Sequence, residues 1–210
     1  MPKKAIIYDL DNTIYPVSSI GEKLFEPLFK LIEESGQHTQ DMEAIKNEVM
    51  RTPFRLVAKQ YGFSDELTKK AIAIQEDIIY EEPIATFEDY AEIKNIVAER
   101  FLVTTGFEKM QRSKIVQMGI EADFKEIHIV NPTLTSKKEV FADILKRYAY
   151  MPEDVLVVGD DPESEIKAAR ELGIETVLYN KFEWHSADKA TYAINHFKDL
   201  KDIIFKTTKK

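Results

Sequence analysis

Short apolar runs, mostly β-branched, punctuate the chain: Ala5-Ile6-Ile7-Tyr8, Phe101-Leu102-Val103, Ile127-His128-Ile129-Val130, Val155-Leu156-Val157-Val158 and Thr176-Val177-Leu178-Tyr179. Runs of this length with little alternation mark strands covered on both faces. From Phe101 onward they alternate with helical patterns. Residues 108–118 stop before Gly119. Residues 136–148 place Val140, Phe141, Ile144 and Leu145 on one stripe, and residues 162–172 stop before Gly173. Residues 193–195 predict a last edge strand ahead of a helix near 198–205. The alternation predicts an α/β protein with a doubly wound, mainly parallel sheet.

One interval breaks the rhythm. The first strand ends near Asp9 and the second near Val103. A parallel crossover needs about a dozen residues and usually one helix, which residues 87–99 would supply. Residues 16–84 are therefore additional, and their patterning is helical. Ile20, Leu24, Leu28 and Leu31 keep helical spacing, with Pro27 forcing a kink or a new start. Met42, Ile45 and Val49 follow the N-cap candidate Asp41. Thr52-Pro53 reads as an N-cap with proline at the first helical position, and Ser64 opens a helix bearing Leu67, Ala71, Ile74 and Ile78. This predicts a small all-helical cap over 16–84 and a core of 1–15 and 85–210.

Composition narrows the chemistry. The chain has 210 residues, 44% hydrophobic and 31% charged, as in an ordinary globular protein. Cysteine is absent, which excludes disulfides, thiolate metal sites and thiol nucleophiles. No stretch reaches membrane-spanning length and no signal peptide is evident, so a cytoplasmic protein without a membrane partner is expected. The formal net charge of -8 disfavours a nucleic acid polymer as partner. It does not disfavour a small phosphate ester, because local cations can reverse the potential inside a cleft.

Polar residues cluster where such sheets bind ligands, at the carboxyl ends of strands. Asp9 and Asp11 follow the first strand, Thr104 and Thr105 the second, and Asp160 and Asp161 the Val155-to-Val158 run. Lys137 opens a helix after the third strand. Carboxylates from two strand ends suit a hard divalent ion, and a lysine, a hydroxyl and backbone N–H groups suit the equatorial oxygens of a phosphoryl group. Asp9 would attack phosphorus, and Asp11 would protonate the leaving alcohol and later deprotonate water. This reading requires the Asp9 and Asp160 carboxylates within about 6 Å of each other, close enough to share an ion.

These residues resemble the motifs of the haloacid dehalogenase-like (HAD) hydrolase superfamily over essentially the whole chain. The motifs are Asp9-Leu10-Asp11-Asn12-Thr13, Thr104 ending an apolar strand, Lys137 ahead of a helix, and Gly159-Asp160 followed by Glu165. The resemblance implies a Rossmann-like core and a cap inserted after the first motif. It implies Asp9 as nucleophile and Asp11 as general acid and base. It also implies Mg2+ held by Asp9, Asp160 and the Asp11 carbonyl, with phosphate contacts from Thr104 and Lys137. Glu165 stands where the family commonly has Asp, so it is expected in the second shell with Asp161. Thr105 replaces the commoner Asn.

Asp11 favours a phosphatase over a dehalogenase, since halide departure needs no proton donor. The expected substrate is a small phosphorylated metabolite, a sugar phosphate or a nucleoside monophosphate; the run from Asp9 to Pro16 resembles the pyrimidine 5′-nucleotidase branch. A phosphomutase and a non-catalytic phosphate-binding protein are compatible with the same residues. Structural readings stand beside the functional ones. Asp161 is a good N-cap for the 162–172 helix, His128 reads as a packed strand residue, and Arg55 and Lys59 read as a solvated face of the cap.

Overall fold

The computed structural model describes residues 2–38, 41–131 and 133–206. At its centre is a six-stranded parallel sheet made of β1 (Ala5–Tyr8), β2 (Glu99–Thr105), β3 (Glu126–Val130), β4 (Val155–Gly159), β5 (Glu175–Tyr179) and β6 (Tyr192–Ile194). All five apolar runs are strands, and the edge strand expected at 193–195 is β6. The spatial order is β3-β2-β1-β4-β5-β6. The chain winds outward from β1 to β3, crosses back, and winds outward again from β4. Its direction reverses between β1 and β4, which is where open parallel sheets leave a crevice for ligands.

Successive strand side chains point to opposite faces, so one strand feeds two layers. Ala5 and Ile7 of β1, with Phe101, Val103, Val155 and Val157, pack against Phe141 and Ile144 of α7 (Lys137–Tyr148) and Ala169 of α8 (Lys167–Arg170). Ile6, Tyr8, Leu102, Leu156 and Val158 pack on the other side. There they meet Met110 and Ile115 of α6 (Glu108–Met118), and Leu200 and Ile203 of α9 (Leu200–Lys206). The same apolar cluster continues without interruption into the helices between β1 and β2. Those are α1 (Gly21–Leu24), α2 (Glu26–Ser35), α3 (Met42–Val49), α4 (Phe54–Tyr61) and α5 (Asp65–Asp77). Among the described residues, no helix is long and apolar enough to cross a membrane.

Several helix boundaries follow the expected chemistry. Pro27 marks a new start, because α1 ends at Leu24 and Pro27 lies in the first turn of α2. Asp41 accepts from the Glu43 N–H and Ser64 from the Leu67 N–H, so both are N-caps. Thr52 is not one. Its hydroxyl donates to Glu48 Oε1 at 2.6 Å and its N–H to Glu48 O at 2.8 Å, which ties it to the end of α3. Pro53 is itself the extended residue before α4.

Two predicted helices take other forms. Residues 87–99 contain only a 3-10 helix, Tyr90–Asn95, and β2 already begins at Glu99. Phe87, Tyr90, Ile93 and Ile96 are all buried, and their spacing of three suits a 3-10 ridge rather than an α-helical stripe. Residues 162–172 begin with a π-helical turn, Pro162–Ile166, before the short α8. The Ile166 N–H reaches back five residues to the Asp161 carbonyl at 3.5 Å.

Candidate active site

β1 delivers the first acid. The Asp9 N–H donates to the Val158 carbonyl at 2.9 Å, so the ladder with β4 runs one residue past Tyr8 and fixes Asp9 at the crevice. By alternation Asp9 shares the face of Ala5 and Ile7, the α7 side. Lys137 is the first residue of α7, whose start is set by a capping box between Ser136 and Glu139. The Lys137 ammonium lies 2.6 Å from Asp9 Oδ1 and 2.7 Å from Glu165 Oε2.

Carboxylate oxygens of Asp9, Asp160 and Glu165 all lie within 4.8 Å of one another. The separation that the reading of Asp9 and Asp160 required is therefore met. Glu165 sits closer in than its expected second-shell place. It is 1% exposed and its Oε1 accepts from the Asp161 N–H at 2.7 Å. The π-helical turn turns it inward, and Gly159 leaves the space it occupies: a β-carbon there would overlap the Glu165 carboxyl group. Asp161 instead caps the turn, its Oδ1 accepting from the Glu163 N–H at 2.8 Å.

The donor set fits a divalent cation. Three carboxylates face a single ammonium, so the site keeps net negative charge, its potential ligands are all carboxylate oxygens, and the Asp160 carboxylate accepts no hydrogen bond among the described residues. Burial, reinforced by Glu165 and opposed by Lys137, pushes the Asp9 carboxyl up to about 7. Burial, then the Glu165 and Asp9 charges, raises Asp160 well above the ordinary carboxylate range. Burial alone would lower Lys137, but its two carboxylate partners outweigh it and hold the ammonium charged. An added cation would relieve the repulsion that raises both aspartates.

Asp11 and Thr104 belong to a second constellation, on the α6 side. Thr104 alternates with Val103 and so shares the face of Leu102. Its Oγ1 accepts from Gln111 Nε2 at 2.6 Å. The same Nε2 donates to Asp11 Oδ2 at 2.8 Å and to the Thr105 carbonyl at 3.2 Å. Lys114 Nζ and Tyr15 OH each lie 2.6 Å from Asp11 Oδ1. Burial would raise Asp11, yet Lys114, Tyr15 and Gln111 together bring it below the ordinary range. The Asp11 charge is felt at Asp9, so the two constellations adjoin. The Asp11 side chain stays outside the three-carboxylate group.

Gln111, Lys114 and Tyr15 were not singled out from the sequence. The structure alone reveals two of them: Met110, Gln111, Lys114 and Ile115 are the buried residues of α6, so an amide and an ammonium three residues apart sit on its core face. Of the remaining sequence candidates, Thr13 is fully buried, with its hydroxyl unpartnered, while Arg55 and Lys59 lie on an exposed face of α4. His128 is half-buried and bonded to Glu126.

The sequence pattern of the family described as Haloacid dehalogenase-like hydrolase matches residues 6–179. Glyceraldehyde 3-phosphate phosphatase of Methanocaldococcus jannaschii is 27% identical, the alignment covering 96% of this chain and 96% of that protein. Pyrimidine 5′-nucleotidase PynA of Streptococcus pneumoniae is 22% identical, over 97% of this chain and 95% of its own. Among solved structures, a HAD-superfamily hydrolase of subfamily IA from Geobacter sulfurreducens superposes with a TM-score of 0.68 at 17% identity, covering 96% of each chain. A HAD phosphatase from Thermococcus onnurineus does so with a TM-score of 0.61 at 16% identity, over 96% of this chain and 97% of that one. With the family pattern spanning both the acidic β1 and β4 strand ends and the intervening lysine helix, the chain belongs to the haloacid dehalogenase-like hydrolases.

Proposed function

We propose that the enzyme hydrolyses a small phosphorylated metabolite through an aspartyl-phosphate on Asp9, with Mg2+ as cofactor. It is a HAD-like phosphoric monoester hydrolase. The observation that carries the mechanism is the meeting of Asp9, Asp160 and Glu165 within 4.8 Å beside the Lys137 ammonium, at the winding reversal of the sheet. The curated relatives named for glyceraldehyde 3-phosphate and for pyrimidine nucleotides support a sugar phosphate or nucleoside monophosphate as substrate.

Asp9, Asp160 and Glu165 would hold the cation, which supplies charge neutralisation for a dianionic phosphate approaching a carboxylate. Asp9 donates an electron pair to phosphorus as the ester P–O bond breaks. Lys114, Tyr15 and Gln111 make Asp11 a stronger acid than an ordinary carboxyl, so it must take up a proton before attack, and it passes that proton to the departing oxygen. Asp11 then accepts a proton from the water that attacks phosphorus, the acyl-phosphate P–O bond breaks, and inorganic phosphate leaves with Asp9 restored. Lys137 offsets charge on the equatorial oxygens. Thr104, whose Oγ1 accepts from Gln111 Nε2, would contact the phosphoryl group.

The helices of residues 16–84 act as a cap over this edge. Arg51, just beyond α3, stacks its guanidinium 4.0 Å from the centre of the Trp184 ring in the segment after β5, and Asp77 of α5 meets Lys109 of α6 at 2.6 Å. Such contacts hold the cap against the core, and side chains on cap and loops would select the leaving group.

A panel of phosphorylated metabolites assayed for free phosphate tests the reading. Release is expected with Mg2+, and is lost with EDTA and in Asp9→Asn. Release persisting in Asp9→Asn would remove the covalent step; activity only with an added bisphosphate would make the enzyme a mutase.

A further inference from the structure

We propose that Lys114 and Gln111 are positioning residues that hold the Asp11 carboxylate on the α6 side, apart from the cation site. This rests on Asp11 being the proton carrier of the proposed reaction. Lys114 is 2% exposed and Gln111 fully buried. Burying an ammonium and an amide on the core face of a helix is unfavourable unless each finds a partner. Both find the same one. Lys114 Nζ holds Oδ1 at 2.6 Å and Gln111 Nε2 holds Oδ2 at 2.8 Å, with Tyr15 OH adding a second 2.6 Å contact to Oδ1. The carboxyl group is thus pinned at both oxygens by three side chains.

The surroundings are shaped for this hold. Gly106 has φ +156°, and a β-carbon there would lie 2.8 Å from Gln111 Cγ, so a side chain at 106 would push Gln111 from its place. Gln111 Oε1 is buried without a partner, a cost that the bonds made by Nε2 offset.

The need for such a hold follows from charge. Asp11 is two residues from Asp9, and a flexible carboxylate so near a divalent ion is drawn to it. An ion-bound Asp11 could not carry a proton. Lys114 offers a competing positive charge on the opposite side. The carboxylates are divided in this way: Asp9 and Glu165 pair with Lys137, Asp160 lies open beside them, and Asp11 pairs with Lys114.

The test compares Lys114→Met, Lys114→Arg and Gln111→Leu with the full-length wild type. Each is assayed on p-nitrophenyl phosphate, whose leaving group needs no acid, and on glycerol phosphate, whose leaving group does, with Mg2+ titrated in each case. Lys114→Met is expected to lower kcat on glycerol phosphate about tenfold more than on p-nitrophenyl phosphate, a part of the roughly hundredfold or more that a well-placed acid contributes. Its Mg2+ dependence should shift as well, and Lys114→Arg should recover much of the ratio. Equal losses on both esters with an unchanged Mg2+ titration would overturn the proposal, because a merely structural lysine would weaken both alike. If Lys114→Met fails to fold, Gln111→Leu, which keeps the Lys114–Asp11 ion pair, carries the same comparison. A wild type that releases phosphate from neither ester sinks the proposed function itself, an outcome distinct from loss of leaving-group selectivity.

Discussion

Glu165 lies directly over Gly159, its carboxyl group filling the volume where any other residue would carry a β-carbon. The glycine before Asp160 is thus required by a side chain six residues later rather than by backbone conformation. Gly159→Ala should displace Glu165 from Lys137 and from the Asp161 N–H. Overpacking and the lost bonds together predict a stability loss of about 2–4 kcal/mol. Chemical denaturation would measure it, and Mg2+ titration should show weakened binding. Unchanged affinity would mean that Glu165 does not serve the cation.

Lys137 stands between two buried carboxylates at 2.6 and 2.7 Å. Lys137→Met would leave both uncompensated, a change that commonly costs about 3–5 kcal/mol. Urea unfolding of the metal-free protein should show this. Added Mg2+ should restore part of the stability without restoring activity. Full activity in Lys137→Met would contradict its role at the phosphoryl group.

Protons and Mg2+ should compete. Asp9 is pushed up to about 7 by burial, then Glu165, and Asp160 is raised as well. An acid with a raised folded-state pKa favours folding fully below its unfolded value and loses that contribution as pH rises through the folded value. The metal-free protein should therefore lose stability between about pH 4 and pH 8 on account of these groups. Mg2+ needs the ionised forms, so its affinity should fall as pH drops from 8 to 6 and its binding should release protons. Titration calorimetry in buffers of different ionisation enthalpy would detect them. At one hundred times its dissociation constant, Mg2+ should add about 2.7 kcal/mol of stability. An affinity independent of pH over this range would refute the protonation of Asp9 and Asp160.

Asp11→Asn should do more than remove a proton carrier. It strands the Lys114 charge, which is 2% exposed. The cost should be about 2 kcal/mol, below that of a fully buried pair because the Asp11 side chain keeps 29% exposure. Asp11→Asn combined with Lys114→Met should be less destabilising than the sum of the two single changes. Additivity in that double-mutant cycle would deny the pairing.

Much of this was legible in the chain. The five apolar runs marked their strands because a strand covered on both faces must be apolar throughout. Asp9, Lys137 and Asp160 were legible because strand ends and a helix start fix their place. Glu165 was harder, since its reach depends on a π-helical turn that no local pattern marks. Gln111 and Lys114 were hidden for a different reason. An amide and an ammonium on α6 read as solvated until the helix is seen to bury them, and only the fold brings Asp11 across from one hundred residues away. The 87–99 segment was expected to be an α-helix because a parallel crossover usually carries one; its buried residues instead recur every three positions, the repeat of a 3-10 helix.

The π-helical turn at Pro162–Ile166 holds one residue more per turn than an α-helix, and that surplus sits between Asp160 and Glu165. Deleting a single residue there would let the segment relax into ordinary helix and rotate position 165 away from Lys137. Lengthening an aspartate to a glutamate is a change of one methylene; shortening the turn is a change of direction. The direction of the acid at 165 therefore depends more on the length of the segment leading to it than on the side chain's own size.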